Sequence, residues 1–241
     1  MHQAIVIIPT YNEIENIEAI IRAVFTQEVP FDVLVVDDNS PDHTALKVKE
    51  LQNEFKDRLF LEVRKEKSGL GTAYIHGFKW CLNHNYDYIF EMDADFSHNP
   101  KDLQRLLYAC QHEQADVAIG SRYVKGVNVV NWPLGRVLLS YTASLYVRLI
   151  TGMRIYDPTA GFICYKRNVL EAIDLDQVKF VGYAFQIEMK FKSHLNKFKL
   201  VEVPIIFTDR IRGESKLSGG IIFEAIFGVI KMKFKSLFAK G

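Results

Sequence analysis

Two carboxylates with the spacing of a metal site, Asp93 and Asp95, directly follow a short apolar segment of the chain. At the end of a strand, such a pair can share one hard divalent cation, which would bridge to the phosphates of a substrate. An isolated Asp-x-Asp is more often a solvated acidic turn. The pair therefore predicts a metal and diphosphate site only if further polar groups converge on the same crevice.

Polar residues also follow two earlier apolar segments. Asp38 ends one of them, where a carboxylate can accept hydrogen bonds from the edge of a nucleobase. Tyr11 follows the other, where its ring can stack on that base. Either feature alone is more typical of turns and helix caps, and Asn12 and Asp42 could cap the helices that follow them. Three polar strand ends in one sheet favour a nucleotide site over three separate turns.

Candidate phosphate-binding cations occur in both halves of the chain. Arg64 and Lys67 precede a helix, whose amino terminus favours phosphate, although solvated loop charges are an equal alternative. In the second half, Arg136 and Ser140 are one helical turn apart, so both can reach one phosphate. Each cation in isolation is more simply a surface charge. The remaining candidates are Arg122, Arg210 and Lys216.

Alternating strand and helix patterns must position these residues. Short β-branched and apolar runs predict buried strands, and apolar residues at helical spacing predict helices between them. This alternation predicts an α/β fold with a mostly parallel central sheet, helices on both faces, and ligands beyond the carboxyl ends of the strands. The predicted strands are 4–8, 33–36, 59–63, 88–92 and 201–207, and the predicted helices are 13–26, 46–55, 71–83 and 132–150.

The glycine pair Gly69 and Gly71 invites comparison with the loops that bind dinucleotides. Tyr74 occupies the place of the third glycine, and the segment does not follow the first strand. Both departures argue against a nicotinamide-dependent dehydrogenase.

The composition excludes several classes of protein. The 241 residues carry 30 Lys and Arg against 29 Asp and Glu, so the net charge gives no argument for binding nucleic acid. Three widely spaced cysteines predict core residues in a reducing cytoplasm. No signal-peptide pattern precedes the first strand, and we expect the body of the protein to stay in the cytoplasm.

The carboxyl-terminal segment is the candidate membrane contact. No stretch of about 20 uncharged apolar residues exists to span a bilayer. Residues 220–238 instead predict a lysine-bearing amphipathic helix that suits the interface of an anionic membrane. The alternatives are that the helix docks on the core or on a separate membrane subunit. The apolar arc is predicted at Phe223, Ile226, Phe227, Ile230, Phe234, Leu237 and Phe238, with Glu224, Lys231 and Lys235 on the other side.

Several segments in one order resemble glycosyltransferase family 2, and within it the polyprenol (dolichol) monophosphate mannose synthases. The resemblance covers about residues 4–217, and blocks in this order are highly specific. The segments are PTYNE (9–13), VDDNSPD (36–42), GLGTAY (69–74), MDADFSH (92–98), GSRY (120–123), GYAFQIE (182–188) and RIRGESKL (210–217).

The resemblance implies a GT-A fold over residues 1–217, followed by a membrane-interfacial helix over 218–241. It also implies roles for individual residues. The nucleotide sugar would contact Pro9, Tyr11, Glu13, Val36, Asp38, Asp93 and Ala94. A divalent metal, Mg²⁺ or Mn²⁺, would be held by Asp93, Asp95 and Ser97. The catalytic set would be Asp95, Arg122, Arg210 and Lys216, and the acceptor phosphate would contact Arg136 and Ser140.

The activity implied is the inverting transfer of mannose from GDP-mannose to polyprenyl phosphate. We identify no carboxylate that could act as the general base. A phosphate monoester acceptor needs no general base, because its second pKa is about 6 and it is largely a dianion at neutral pH. The enzyme would work peripherally on the cytoplasmic face of a membrane, with or without a small membrane subunit. The alternatives are a transferase that uses UDP-glucose or another nucleotide sugar, a soluble family 2 enzyme with a polysaccharide or protein acceptor, and a non-catalytic binding module.

Overall fold

A computed structural model describes residues 3–182, 184–209 and 219–238, with side chains from 227 to 236 in the last range. Nine strands and eight α-helices lie in these ranges. The strands are β1 (Ala4–Thr10), β2 (Asp32–Asp37), β3 (Leu59–Val63), β4 (Tyr88–Glu91), β5 (Val117–Ser121), β6 (Val129–Val130), β7 (Ile163–Lys166), β8 (Leu200–Pro204) and β9 (Phe207–Thr208). The helices are α1 (Ile17–Phe25), α2 (Thr44–Gln52), α3 (Leu70–Asn83), α4 (Leu103–His112), α5 (Leu134–Thr151), α6 (Arg167–Ala172), α7 (Ala184–Leu195) and α8 (Gly219–Phe238).

Seven strands form one sheet in the order β3-β2-β1-β4-β7-β5-β8. All neighbours are parallel except β7, which runs antiparallel to both β4 and β5. The carboxyl ends of β1, β2, β4, β5 and β8 therefore share one edge with the amino end of β7. The predicted α/β fold with a mostly parallel sheet is confirmed, and the polar segments that follow the strands meet at this edge.

Buried apolar residues cover both faces of the sheet. Alternate residues of β1 illustrate this, because Val6 and Ile8 join one core cluster while Ile5 and Ile7 join the other. A strand with both faces covered has no alternation of apolar and polar residues. This explains the continuous apolar runs by which the strands were predicted. The three cysteines are buried and unpaired, as their spacing predicts.

Several element boundaries differ from the sequence prediction by a few residues. The first helix begins at Ile17 rather than at residue 13, because the preceding turn is tied to the next loop through the Ile14 amide and Asp42. Strand β1 passes through Pro9 to Thr10, with Pro9 opposite Val36 of β2. The predicted strand 201–207 is two strands, β8 and β9, the second of which pairs with β6 in a separate ribbon.

Helix α8 packs against α5 and α7. Val229 of α8 is buried in the core, and the Lys233 ammonium donates to the carbonyl of Thr151 at the end of α5. Within the described residues, every helix is too short or too polar to cross a membrane. The division into a catalytic domain and a terminal helix stays a prediction.

Candidate active site

Asp93 and Asp95 lie immediately beyond β4, at the shared edge of the sheet. The Asp95 carboxylate accepts the Ser97 amide at 3.0 Å, which closes a tight turn. The Asp93 amide donates to Nδ1 of His98 at 3.1 Å. Both bonds hold the backbone of this segment in one shape.

The oxygen atoms in this turn fit a hard divalent cation. The Ser97 hydroxyl is buried and has no hydrogen-bond partner among the described residues. Nowhere in those residues do three or more His, Cys, Asp or Glu side chains cluster as metal ligands. Two carboxylates and one hydroxyl would leave several positions for water and phosphate oxygens, as is usual for Mg²⁺ or Mn²⁺ beside a diphosphate.

His98 is a buried neutral support of this turn. Its ring stacks on Phe162, with 4.9 Å between the centroids, and burial lowers its pKa to about 4. Since Nδ1 accepts the Asp93 amide, the proton of the neutral ring lies on Nε2. The buried ring thus fixes the backbone of Asp93.

The aspartates at the end of β2 are already engaged. Asp37 is fully buried, and its carboxylate accepts bonds from Thr10 and Ser40. Asp38 binds Arg64 through two bonds of 2.6 and 2.7 Å. Arg64 was expected near a phosphate, but its guanidinium is paired with the carboxylate of Asp38.

Among the remaining nucleotide candidates, Tyr11 lies below the Lys67 ammonium, 4.3 Å from the ring centroid. A base that stacks on this face must displace the exposed lysine or share the ring with it. Val36 is fully buried in the core, so its side chain is not accessible to a nucleotide. Pro9 lies near the end of β1, and Ala94 lies just beyond the end of β4. The Glu13 amide donates to the hydroxyl of Thr44.

Gly69, just before α3, and Gly71, in its first turn, serve packing. A Cβ atom at Gly71 would lie 2.6 Å from the carbonyl oxygen of Phe180 and 2.8 Å from the ring of Phe185. The Gly71 amide also donates to the carbonyl of Val181. The motif therefore brings α3 close to the segment before α7, in line with the argument against a dinucleotide loop.

Arg122, directly after β5, is bound by a buried carboxylate. Its guanidinium donates two bonds of 2.7 Å to Asp157, and a third to the hydroxyl of Thr159. Burial alone raises the pKa of Asp157, but the charge and hydrogen bonds of Arg122 lower it overall. This ion pair orients the guanidinium among the rings of Tyr123, Trp132 and Phe207, at 5.2 to 5.6 Å from their centroids.

Arg136 and Ser140 share helix α5, as predicted, and each has a partner within the protein. The Arg136 guanidinium donates to Asp209 at 2.8 Å, and its carbon lies 4.1 Å from the ring centroid of Trp132. The Ser140 hydroxyl accepts from the phenol of Tyr123 at 2.8 Å. We call Arg122, Arg136, Trp132 and Phe207 the arginine box.

The arginine box adjoins the acidic turn. The ring of Phe207 in the box packs edge-on against His98, at 5.5 Å between centroids. The Thr208 amide donates to the carbonyl of Ser97 at 3.4 Å. The metal candidates and the arginines are therefore neighbours, although they follow different strands.

The sequence model of Glycosyl transferase family 2 matches residues 5–174. The chain belongs to this family. It is therefore a glycosyltransferase, and the family predicted from the ordered segments is confirmed.

Named relatives cover almost the whole chain. Polyprenol monophosphomannose synthase of Mycolicibacterium smegmatis is 49% identical over 94% of this chain and 85% of its own length. Undecaprenyl-phosphate mannosyltransferase of Micrococcus luteus is 45% identical over 95% of this chain and 93% of its own length. Dolichol-phosphate mannosyltransferase of Pyrococcus furiosus is 38% identical over 94% of this chain, which spans 62% of that relative.

Solved structures share the fold. Glucosyl-3-phosphoglycerate synthase from Mycobacterium tuberculosis, crystallised with Mn²⁺, UDP-glucose and glycerol 3-phosphate, superimposes with a TM-score of 0.68 at 16% identity. The match covers 98% of this chain and 80% of that chain. The likeness shows that the transferase has the GT-A fold.

A buried polar group of the transferase lies under the acidic turn, and sequence reasoning missed it. Glu91, at the end of β4, is fully buried and accepts a hydrogen bond from Gln186 of α7. Burial raises the pKa of Glu91 to about 8. Lys190 is also fully buried and donates to the carbonyls of Ala160 and Gln186 at 2.6 and 3.1 Å. The lysine thereby fixes the loop that carries Asp157.

Only a weak signal could have identified these residues. Glu91 interrupts an otherwise apolar strand, and Gln186 and Lys190 lie one turn apart in the segment 182–190. A charged residue in a buried apolar segment indicates a hydrogen-bond or ion-pair partner, but the segment does not identify that partner. Arg210 and Lys216, the other two cations of the predicted catalytic set, lie outside the described residues.

Proposed function

We propose that this transferase moves mannose from GDP-mannose to the phosphate of a polyprenyl lipid, with a divalent cation at the diphosphate. The names of three relatives support it, because each joins a mannosyl group to a polyprenol, undecaprenyl or dolichol phosphate. Asp38 and Tyr11 border the nucleotide side of the crevice, and Asp93 and Asp95 its diphosphate side.

The observation that carries the proposal is the pair of arginines in the arginine box, beside helix α5. Arg136 is one turn from Ser140, and Arg122 is held by Asp157 in a buried ion pair. Guanidinium groups bind phosphate oxygens through paired hydrogen bonds. An acceptor without a phosphate, such as a polysaccharide hydroxyl, would not need two guanidinium groups beside it.

The protein's part in the reaction is to bring two anionic groups together. The arginine box would bind the acceptor phosphate and direct one oxygen at the anomeric carbon. That oxygen forms the new bond to the sugar, the bond to GDP breaks with its electron pair, and the anomeric configuration inverts. A phosphate monoester is largely a dianion at neutral pH, so no side chain has to remove a proton.

Asp93, Asp95 and Ser97 would hold the divalent cation. When bound, the cation supplies charge neutralisation at the diphosphate of the leaving nucleotide. His98 fixes the backbone of the turn, and its neutral ring adds no competing charge beside the carboxylates.

Exposed apolar faces on two neighbouring helices support a membrane-bound acceptor. On α5, large apolar side chains recur at helical spacing on the solvent side, and Leu134 and Leu149 are 73% and 75% exposed. The face spans about 22 Å at 1.5 Å per residue. Its members are Leu134, Leu138, Tyr141, Leu145 and Leu149.

On α8, Phe227 and Phe234 are 69% and 58% exposed. Lys231 and Lys235 are exposed on the same side of the helix. Lysines beside exposed aromatic rings suit the headgroup region of an anionic bilayer. We propose that α5 and α8 rest on the cytoplasmic face of a membrane, where the lipid chain of the acceptor remains while its phosphate enters the arginine box.

The test is a transfer assay with purified protein, a polyprenyl phosphate in liposomes, Mg²⁺ or Mn²⁺, and separate labelled GDP- and UDP-sugars. Labelled mannose should enter the lipid from GDP-mannose, and chelation of the metal should stop the transfer. Transfer of glucose from UDP-glucose in place of mannose would establish the sister activity instead. Labelling of a soluble polysaccharide or protein, with the lipid left unlabelled, would refute a lipid phosphate acceptor.

A further inference from the structure

Trp132 joins the two arginines of the arginine box. It follows β6 and precedes α5, and its ring packs edge-on against Phe207 of β9 at 5.3 Å between centroids. The guanidinium carbons of Arg136 and Arg122 lie 4.1 and 5.6 Å from the centroid of its ring. One aromatic ring therefore contacts both cations that would face the acceptor, and its negative face favours their charge.

The ring also carries a buried donor that the described residues leave unused. The indole nitrogen of Trp132 is shielded from solvent and has no hydrogen-bond partner among them. An indole N–H can only donate, and a buried donor without an acceptor is costly to the folded state. An anionic oxygen between the arginines would supply the missing acceptor.

Other side chains around the box already donate hydrogen bonds within the protein. Arg122 donates to Asp157 and Thr159, Arg136 donates to Asp209, and the phenol of Tyr123 donates to Ser140. A phosphate that enters the box competes with carboxylates for the guanidinium groups. It meets no such competition from the described residues for the indole N–H.

We propose that Trp132 is a ligand of the acceptor phosphate, to which its indole N–H donates a hydrogen bond while its ring holds Arg122 and Arg136 in place. The inference rests on the proposed function, since it takes the anion in the arginine box to be the acceptor's phosphate. The alternative is that the same N–H donates to an oxygen of the donor diphosphate.

Two substitutions separate the two parts of this role. Trp132→Phe keeps an aromatic face for the arginines and removes the N–H, whereas Trp132→Leu removes both. We expect Trp132→Phe to raise the acceptor KM about tenfold and Trp132→Leu about a hundredfold, with the GDP-mannose KM within twofold of wild type. Arg136→Ala gives the reference for a lost phosphate contact. An unchanged acceptor KM in Trp132→Phe, or an equal rise in both KM values, would overturn the inference.

A second measurement needs neither mannosyl transfer nor a stable Trp132 variant. The chain has two tryptophans, and Trp80 of α3 stacks on His84, which follows the helix. Trp80→Phe therefore leaves Trp132 as the only indole reporter. Its fluorescence should change on titration with a water-soluble short-chain polyprenyl phosphate and stay constant with the matching alcohol.

The outcomes of the titration are distinct from those of the transfer assay. A silent Trp132 at phosphate concentrations that saturate binding in calorimetry would overturn the inference, whatever sugar is transferred. A response to GDP as large as that to the phosphate ester would assign the N–H to the donor and also overturn it. A response to the phosphate ester without mannosyl transfer would uphold Trp132 as a ligand and reject the proposed sugar alone.

Discussion

At the scale of single residues, Asp95 combines two functions that substitution can separate. One carboxylate oxygen closes the turn by accepting the Ser97 amide. In the proposed function, the negative charge serves the cation. An amide in the same place could still accept the backbone bond.

We therefore predict that Asp95→Asn lowers kcat by more than tenfold, equal to about 1.4 kcal/mol of barrier, with a nearly unchanged melting temperature. Steady-state kinetics with saturating metal and a thermal melt would measure the two quantities. Asp176→Asn is the matched control, because it removes an exposed carboxylate that pairs with Lys79 on the surface. Retention of more than about a tenth of wild-type kcat in Asp95→Asn would refute the metal assignment.

Lys190 is a second residue whose charge has a measurable signature. Burial lowers its pKa from 10.5 to about 8, so between these values the folded state holds fewer protons than the unfolded state. Stability then rises with pH across this window, since the unfolded state binds more protons. Below pH 8 Lys190 is charged in both the folded and the unfolded state, and the whole cost of burying this charge then lowers the free energy of unfolding.

We predict that wild type gains stability relative to Lys190→Met between pH 8 and 10.5, by up to about 3 kcal/mol. Urea unfolding of both proteins at several pH values in this window gives the difference directly. The free energy of unfolding of Lys56→Met, a change at an exposed lysine, should vary with pH in parallel with that of wild type. Parallel curves for Lys190→Met and wild type would show that Lys190 titrates normally.

At the scale of elements, α8 has two faces with different neighbours. Val229 is buried, and a Cβ atom at Gly228 would lie 2.5 Å from the ring of Phe180. Phe227 and Phe234 lie on the opposite side, beside the two lysines. Core docking and membrane contact were stated as alternatives, and the described part of the helix docks one face and exposes the other. The predicted separation of phenylalanines from lysines is wrong for these four residues, which share the exposed side.

Substitutions on the two faces of α8 should have opposite effects. Phe227→Ser with Phe234→Ser should leave the melting temperature nearly unchanged and abolish flotation with anionic liposomes, because only exposed apolar surface is lost. Gly228→Ala should cost about 1 to 3 kcal/mol of stability through overpacking, with flotation retained. Full flotation of the double serine variant would reject α8 as a membrane contact.

At the scale of the whole molecule, a net charge of +1 means that attraction to an anionic membrane must come from local lysines. The same helix that carries them also covers the core beside α5 and α7. The proposed membrane contact and folding are thus coupled through one element.

Deletion of residues 219–241 should therefore lower the melting temperature as well as membrane binding. Val229 and Met232 pack against the core, and each large apolar side chain contributes roughly 1.5 to 3 kcal/mol when fully buried. Thermal melting and liposome flotation on one sample give both results. A truncated protein that melts like wild type would contradict the docked face of α8.

Much of the architecture follows from local patterns. The first four strands, the helices between them and the polar residues at their ends were predicted because periodicity and turn chemistry are local properties. The prediction missed β5, β7 and the helices α4, α6 and α7. Family membership was predicted as well, since it rests on the order of short segments. The exposed leucines of α5 were missed, because an apolar stripe on a helix does not reveal whether it faces the core or the solvent.

The sequence by itself determined which residue types stand at the strand ends, and so the chemistry of the site. The tertiary structure decided which cations are bound internally: Arg64 by Asp38, Arg122 by Asp157 and Arg136 by Asp209. These partners lie 26, 35 and 73 residues apart along the chain. No local periodicity encodes such pairs, because the order of strands in the sheet brings their loops together.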